Sequence, residues 1–125
     1  MLALDTSSVI AYLAGDAGSD VDAVETALRF NQAVLPPVVL CELLSDPKLP
    51  ESVSRAIGNF PILTVQQGFW ERAGLLRSKV IAQGRKARLA DALIAQTCLD
   101  HDLPLVTRDR DFAHFAGVSS LKLWP

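Results

Sequence analysis

Apolar positions along this chain come in short blocks, each followed by a longer stretch with helical spacing of apolar and polar residues. LALD at positions 2–5 reads as a first strand, and TSSVIAYLAG after it as a helix, with hydroxyls able to cap its start and Gly15 able to end it. Ser19 precedes a second helical stretch, SDVDAVETALRF, whose first turn carries acids where the helix dipole favours them. AVLPP is a second strand broken by Pro36 and Pro37, and Pro37 can begin the helix VVLCELLS. PESVSRAIG predicts a short helix, PILTV a weaker strand, and GFWERAGLLRSKVIAQ a long helix stopped near Gly84. ARLADALIAQTCLDHD is the clearest helix, LPLVT the next strand and VSSLKLW the last. Parallel strands need crossover connections, so short apolar strands separated by helices predict an α/β fold: a mostly parallel central sheet with helices on both faces.

Length and composition narrow this further. With 125 residues, half of them hydrophobic, the chain is expected to form one compact domain spanning 1–125. No apolar run approaches the roughly 20 residues that cross a bilayer. The first run is interrupted by Asp5 and hydroxyls, unlike a secretory leader, so a cytoplasmic protein is the expectation. Cys41 and Cys98 are far apart in apolar helical surroundings, which predicts two small buried hydrophobes rather than a disulfide or a thiolate metal site. The net charge of -2 conceals an asymmetry: residues 1–47 carry seven acids against Arg29, whereas the remainder is basic. Arg72, Arg77, Lys79, Arg85, Lys86, Arg88, Arg108 and Arg110 could form a phosphate-binding rim or solvated helix faces.

Four acids stand where local structure does not call for them. In a doubly wound sheet, ligands bind beyond the carboxyl ends of the strands, where strand order reverses. Asp5 ends the first strand and Asp109 follows LPLVT, so the two meet if those strands are neighbours; singly, each could equally be a cap or turn residue. Asp91 shares a helix face with Ala87, Ile94, Ala95 and Cys98, and needs either a partner such as Arg88 or another way to carry its charge. Glu42 is the only charge in VVLCELLS. A buried carboxylate must be solvated, neutralised or bound to a cation. Four acids at one end of a sheet would repel unless protonated or bridged by metal, and an all-oxygen donor set selects Mg²⁺ or Mn²⁺ over zinc. His101 and His114 recur at no ligand spacing, and no serine, cysteine or histidine constellation marks a covalent nucleophile. Hydrolysis by metal-activated water remains.

These residues carry a resemblance. From LALDTSSVIAYL through PPVVLCELLSDP and GRKARLADALIAQ to PLVTRDRDF, the chain resembles the PIN-domain ribonucleases, and within them the VapC-type toxins of toxin-antitoxin modules. The resemblance implies a PIN-like three-layer fold and an acidic quartet at Asp5, Glu42, Asp91 and Asp109, with Asp111 as a fifth participant. It implies that Asp5, Asp91 and Asp109 hold Mg²⁺ or Mn²⁺, that Glu42 orients or deprotonates the attacking water, and that RNA is cut to a 5′-phosphate and a 3′-hydroxyl. Ser7 and Thr107 are candidates for hydrogen bonds to the ligands, and Arg85, Lys86, Arg88, Arg108 and Arg110 for contacts to the RNA backbone. A homodimer and a VapB-like antitoxin are implied as partners, and the high apolar fraction is compatible with a partner surface around Val9 to Leu13 and Val38 to Leu44. Two rivals have different signatures: a receiver domain expects an adjacent acidic pair after the first strand and an acid after the third, and a silent PIN-like binding module expects a broken quartet. Asp5 stands alone, PILTV ends without an acid, and the quartet is complete.

Overall fold

The computed structural model describes residues 1–124. Three short parallel strands, β1 (Leu2–Leu4), β2 (Ala33–Val34) and β3 (Leu105–Val106), form a sheet in the order β2-β1-β3. Leu2 and Ala3 pair with Ala33 and Val34, and Ala3 and Leu4 pair with Leu105 and Val106. The strands expected in PILTV and VSSLKLW are each reduced to one parallel bridge, Leu35 with Ile62 and Leu105 with Leu123. Ile62 is exposed and the Pro61 before it has no N–H to donate, so a longer ladder there has little to hold it.

The bridges extend the order of the sheet. The segment at Ile62 lies outside β2, and that at Leu123 outside β3, which gives 3-2-1-4-5 when the extended segments are counted along the chain. A receiver domain would have 2-1-3-4-5. Here the order reverses between β1 and β3, and Asp5 follows β1 directly while Thr107 follows β3.

Among the described residues, seven helices surround the sheet: α1 (Thr6–Leu13), α2 (Ser19–Arg29), α3 (Pro37–Leu44), α4 (Glu51–Gly58), α5 (Phe69–Ala82), α6 (Leu89–Asp100) and α7 (Phe112–Ala116). None is long and apolar enough to cross a membrane. Pro37 opens α3 at the position where its missing N–H costs nothing. α1 is capped by Asp5, whose side chain accepts from the Ser7 N–H, rather than by the hydroxyls that follow it. α7 was not expected; its five residues are too few to be stable alone, and Phe112 and Phe115, both fully buried, tie it to the core.

One contiguous core joins these elements, with Leu4, Leu35, Ile94, Leu105, Val106, Phe112 and Phe115 at its centre. Each such side chain contributes about 1.5–3 kcal/mol on burial. Cys98 lies in it, and burial pushes its thiol up to about 12, consistent with an inert hydrophobe. Cys41 does not: it is exposed on α3, because that helix buries Val39 and Leu43 and turns its remaining surface outward.

Two members of the expected basic rim serve the fold instead. Arg72 on α5 forms a forked pair with Asp100 on α6, Nε to Oδ1 at 3.0 Å and Nη2 to Oδ2 at 2.7 Å, and holds that carboxyl below its ordinary range. Arg77 donates from Nε to the Ala87 carbonyl at 2.9 Å, anchoring the loop before α6.

Candidate active site

At the carboxyl end of the sheet, the ends of β1 and β3 are laced together by hydroxyls. Asp5 is 4% exposed, and its Oδ2 accepts from Ser7 Oγ at 2.6 Å and Thr107 Oγ1 at 2.7 Å. Thr107 Oγ1 in turn accepts from the Asp109 N–H at 3.0 Å, and Ser7 Oγ from the Arg108 N–H at 3.3 Å. Both hydroxyl protons therefore point at one carboxylate oxygen, which fixes the orientation of Asp5. Among the described residues, no hydrogen-bond donor reaches its other oxygen.

Beyond β3 the chain turns sharply. The Asp111 N–H donates to Asp109 Oδ1 at 2.9 Å, an Asx turn that sets both carboxylates on the same short loop. Asp91 comes from the first turn of α6, where the helix dipole favours an anion. Oxygens of Asp91, Asp109 and Asp111 lie within 4.8 Å of one another.

Asp91 carries its carboxylate at a cost. It is 8% exposed, and its Oδ2 is buried without a hydrogen-bond partner. Burial, then the charges of Asp109 and Asp5, with a smaller contribution from Glu42, push its carboxyl up to about 6. Arg88 opposes the shift through its charge but lies beyond ion-pair distance, so the structural alternative of an Arg88 to Asp91 pair is not realised. The carboxylates within reach of one another are those of Asp91, Asp109 and Asp111, whereas Asp5 and Glu42 act on Asp91 through their charge; an all-oxygen set of this kind suits a hard divalent ion.

Glu42 sits differently. It is exposed on α3, and Thr6 Oγ1 donates to its Oε1 at 2.6 Å. Local pattern could not reveal Thr6 as its partner, since the two are separated by 36 positions and Thr6 looks like an ordinary first-turn residue. The expected basic contacts divide in two. Arg85, Lys86, Arg88 and Arg110 are exposed with no carboxylate partner among the described residues. Arg108 turns away from the acids. Its Nε and Nη2 fork onto Asp20 at 2.8 and 3.0 Å, and Nη2 also donates to the Ala17 carbonyl at 3.2 Å. The Arg108 guanidinium, helped by the Ser8 hydroxyl and against partial burial, holds the Asp20 carboxyl down at about 2. His101 and His114 reach backbone carbonyls of Thr64 and Lys86 and take no part in the acidic cluster.

The PIN-domain family model matches residues 2–118. No curated protein sequence matches the chain. Among solved structures, it is similar to a FitAB complex bound to a DNA fragment, at 20% identity and a TM-score of 0.77, covering 99% of this chain and 94% of that one. It is also similar to VapBC2 from Rickettsia felis bound to a promoter DNA fragment, at 20% identity and 0.74, covering 99% and 98%. A toxin-antitoxin complex from Klebsiella pneumoniae matches at 25% identity and 0.68, covering 98% and 100%. PIN domains are nucleases, in general dependent on divalent metal ions, and the acidic cluster fits that requirement. With the family model spanning nearly its whole length and an acidic cluster beyond the carboxyl end of its sheet, the chain belongs to the PIN-domain family.

Proposed function

We propose that this protein is a Mg²⁺- or Mn²⁺-dependent endoribonuclease and the toxin of a VapBC-type toxin-antitoxin pair, acting in the cytoplasm. The observation that carries the chemistry is the unpartnered, buried Asp91 Oδ2 facing the charges of Asp5, Asp109 and Glu42. The toxin role draws on the resemblance of the motifs and on the toxin-antitoxin complexes among the structural neighbours.

Asp5, Asp91 and Asp109 would hold the ion, with Asp111 beside them. A bound divalent ion supplies Lewis acidity, acidifying water in the cleft and offsetting negative charge on the phosphoryl oxygens. Glu42, oriented by Thr6, accepts the proton of the attacking water. Ser7 and Thr107 keep Asp5 aimed. Exposed Arg85, Lys86, Arg88 and Arg110 hold the RNA backbone, whose phosphates the acids would otherwise repel. Attack in this arrangement leaves a 5′-phosphate and a 3′-hydroxyl.

Partners follow the same reading. The groove between α1, α2 and α4, lined by Val9, Tyr12, Leu13, Val24, Val53 and Phe60, is apolar, which suits the apolar face of an amphipathic antitoxin segment. A second copy would cover exposed Trp70, Leu75 and Ile81 on α5.

Purified protein is expected to cut RNA with Mg²⁺ or Mn²⁺ and to stop in EDTA, and its expression without a partner is expected to arrest growth. Cleavage that persists in EDTA, or growth arrest equally severe with Asp5→Ala, would reject this chemistry. Thr6→Val should lower kcat roughly tenfold while leaving Mn²⁺ affinity unchanged, because only the orientation of Glu42 is lost. Steady-state cleavage alongside Mn²⁺ titration reads both.

A further inference from the structure

We infer that Arg108 is a positioning residue: its forked pair with Asp20 fixes the turn 107–111 so that Asp109 and Asp111 remain within reach of a cation shared with Asp91. The inference rests on the metal-site reading above. It replaces an RNA contact at Arg108, the role its position in RDRDF implies.

The problem the pair solves is electrostatic. Asp91, Asp109 and Asp111 bring oxygens within 4.8 Å of one another, and two of the three ride on a single turn at the surface. Like charges so close favour a turn that swings outward unless something restrains it. On its inner side the turn is tied to the end of β1 through Thr107 and Asp5, and to α1 through the Arg108 N–H and Ser7 Oγ. On its outer side the only charged tether among the described residues is the Arg108 side chain.

That tether is built rather than incidental. Asp20, 14% exposed at its side chain, accepts from both Arg108 nitrogens and from Ser8 Oγ at 2.8 Å, and Ser8 is fully buried on α1. The Ala17 carbonyl accepts a further bond from Nη2, and Asp16 lies 3.6 Å from Nη1. Gly18 makes the space: it has a φ of +151°, and a Cβ there would stand 2.6 Å from Asp20 Oδ1 and 3.0 Å from Arg108 Nη2. The turn is thus bolted to α1 and α2 by a fork whose geometry a lysine could not reproduce. Arg85, Lys86, Arg88 and Arg110, by contrast, have no such seat.

Asp20→Asn separates the two roles of Arg108. If Arg108 positions the turn, the variant weakens Mn²⁺ binding about tenfold, as loss of a residue behind a metal ligand typically does. The metal-free protein then shows faster hydrogen exchange across 107–113, with β1 amides unchanged, and kcat falls at constant KM. Arg108→Ala should do the same, and Arg108→Lys should fall between. If Arg108 were a phosphate contact, Asp20→Asn would release it, lowering KM with Mn²⁺ affinity and exchange unaltered; that result overturns the proposal. Faster exchange and weaker Mn²⁺ binding in a protein whose wild type cuts no RNA would uphold the positioning role while overturning the nuclease reading.

Discussion

Asp91→Asn is expected to cut RNA about a thousandfold more slowly than wild type in Mg²⁺ or Mn²⁺, and yet to be the more stable protein when metal is absent. The two effects share one cause. Asp91 contributes a carboxylate that burial and the charges of Asp109, Asp5 and Glu42 make costly to ionise. Its folded-state value of about 6 lies above the ordinary 3.8 of an unfolded chain. Stability from this group is therefore fully present below about pH 4 and is lost as pH rises through 6, amounting to roughly 3 kcal/mol. Asparagine is neutral throughout, so metal-free Asp91→Asn should lack this decline and melt roughly 10 °C higher than wild type at pH 7.5. Mn²⁺ should raise the melting temperature of wild type and leave the variant almost unmoved, since a ligand that binds only the folded state stabilises it in proportion to its affinity. Thermal melts across pH 4–8, with and without Mn²⁺, together with cleavage rates, test both halves. A variant that melts with the same pH dependence as wild type would mean that Asp91 is not the strained group described here.

Phe112→Ala is expected to lose about 3–5 kcal/mol of stability, a large share of the 5–15 kcal/mol available to a typical domain. Phe112 is fully buried, packs 6.2 Å from the Phe115 ring between centroids, and begins α7 directly after Asp111. A five-residue helix has too few internal bonds to persist on its own, so the two phenylalanines decide whether α7 exists. The loss should extend to the metal site, because the turn carrying Asp109 and Asp111 hangs between β3 and this aromatic anchor. Denaturant unfolding gives the first quantity and Mn²⁺ titration under native conditions the second. A loss under about 1 kcal/mol would show that α7 is held by something other than its aromatic face.

Much of this architecture was written locally. Alternation of apolar runs with helical spacing located six of the seven helices, because each carries its own apolar stripe, with start and stop residues such as Pro37 at the start of α3 and Gly15 at the end of α1. α7 was hidden since FAHFA is shorter than any periodicity can register. PILTV and VSSLKLW have the composition of strands but only one bridge each, since a strand is defined by its neighbour's hydrogen bonds and not by its own residues. Cys41 was placed in the core for being small and apolar, whereas it is exposed on α3, which buries Val39 and Leu43 instead.

The acids show the same division. By itself, the sequence singled out Asp5, Glu42, Asp91 and Asp109, because pattern alone exposes a carboxylate at a strand end or inside an apolar stripe; of the four, Asp91 is buried without a partner for one oxygen, Asp5 caps α1, Asp109 accepts in a turn and Glu42 is exposed. Only the tertiary structure decided what each one faces. It paired Thr6 with Glu42 across 36 positions and Arg108 with Asp20 across 88, bonds that no local spacing can encode. It also turned the arginine beside Asp109 away from the acids, while the sheet order β2-β1-β3 set the end of β1 against the end of β3. Chain neighbours share a surface only by periodicity, but distant residues share one through the fold, and electrostatic energy depends on distance in space alone.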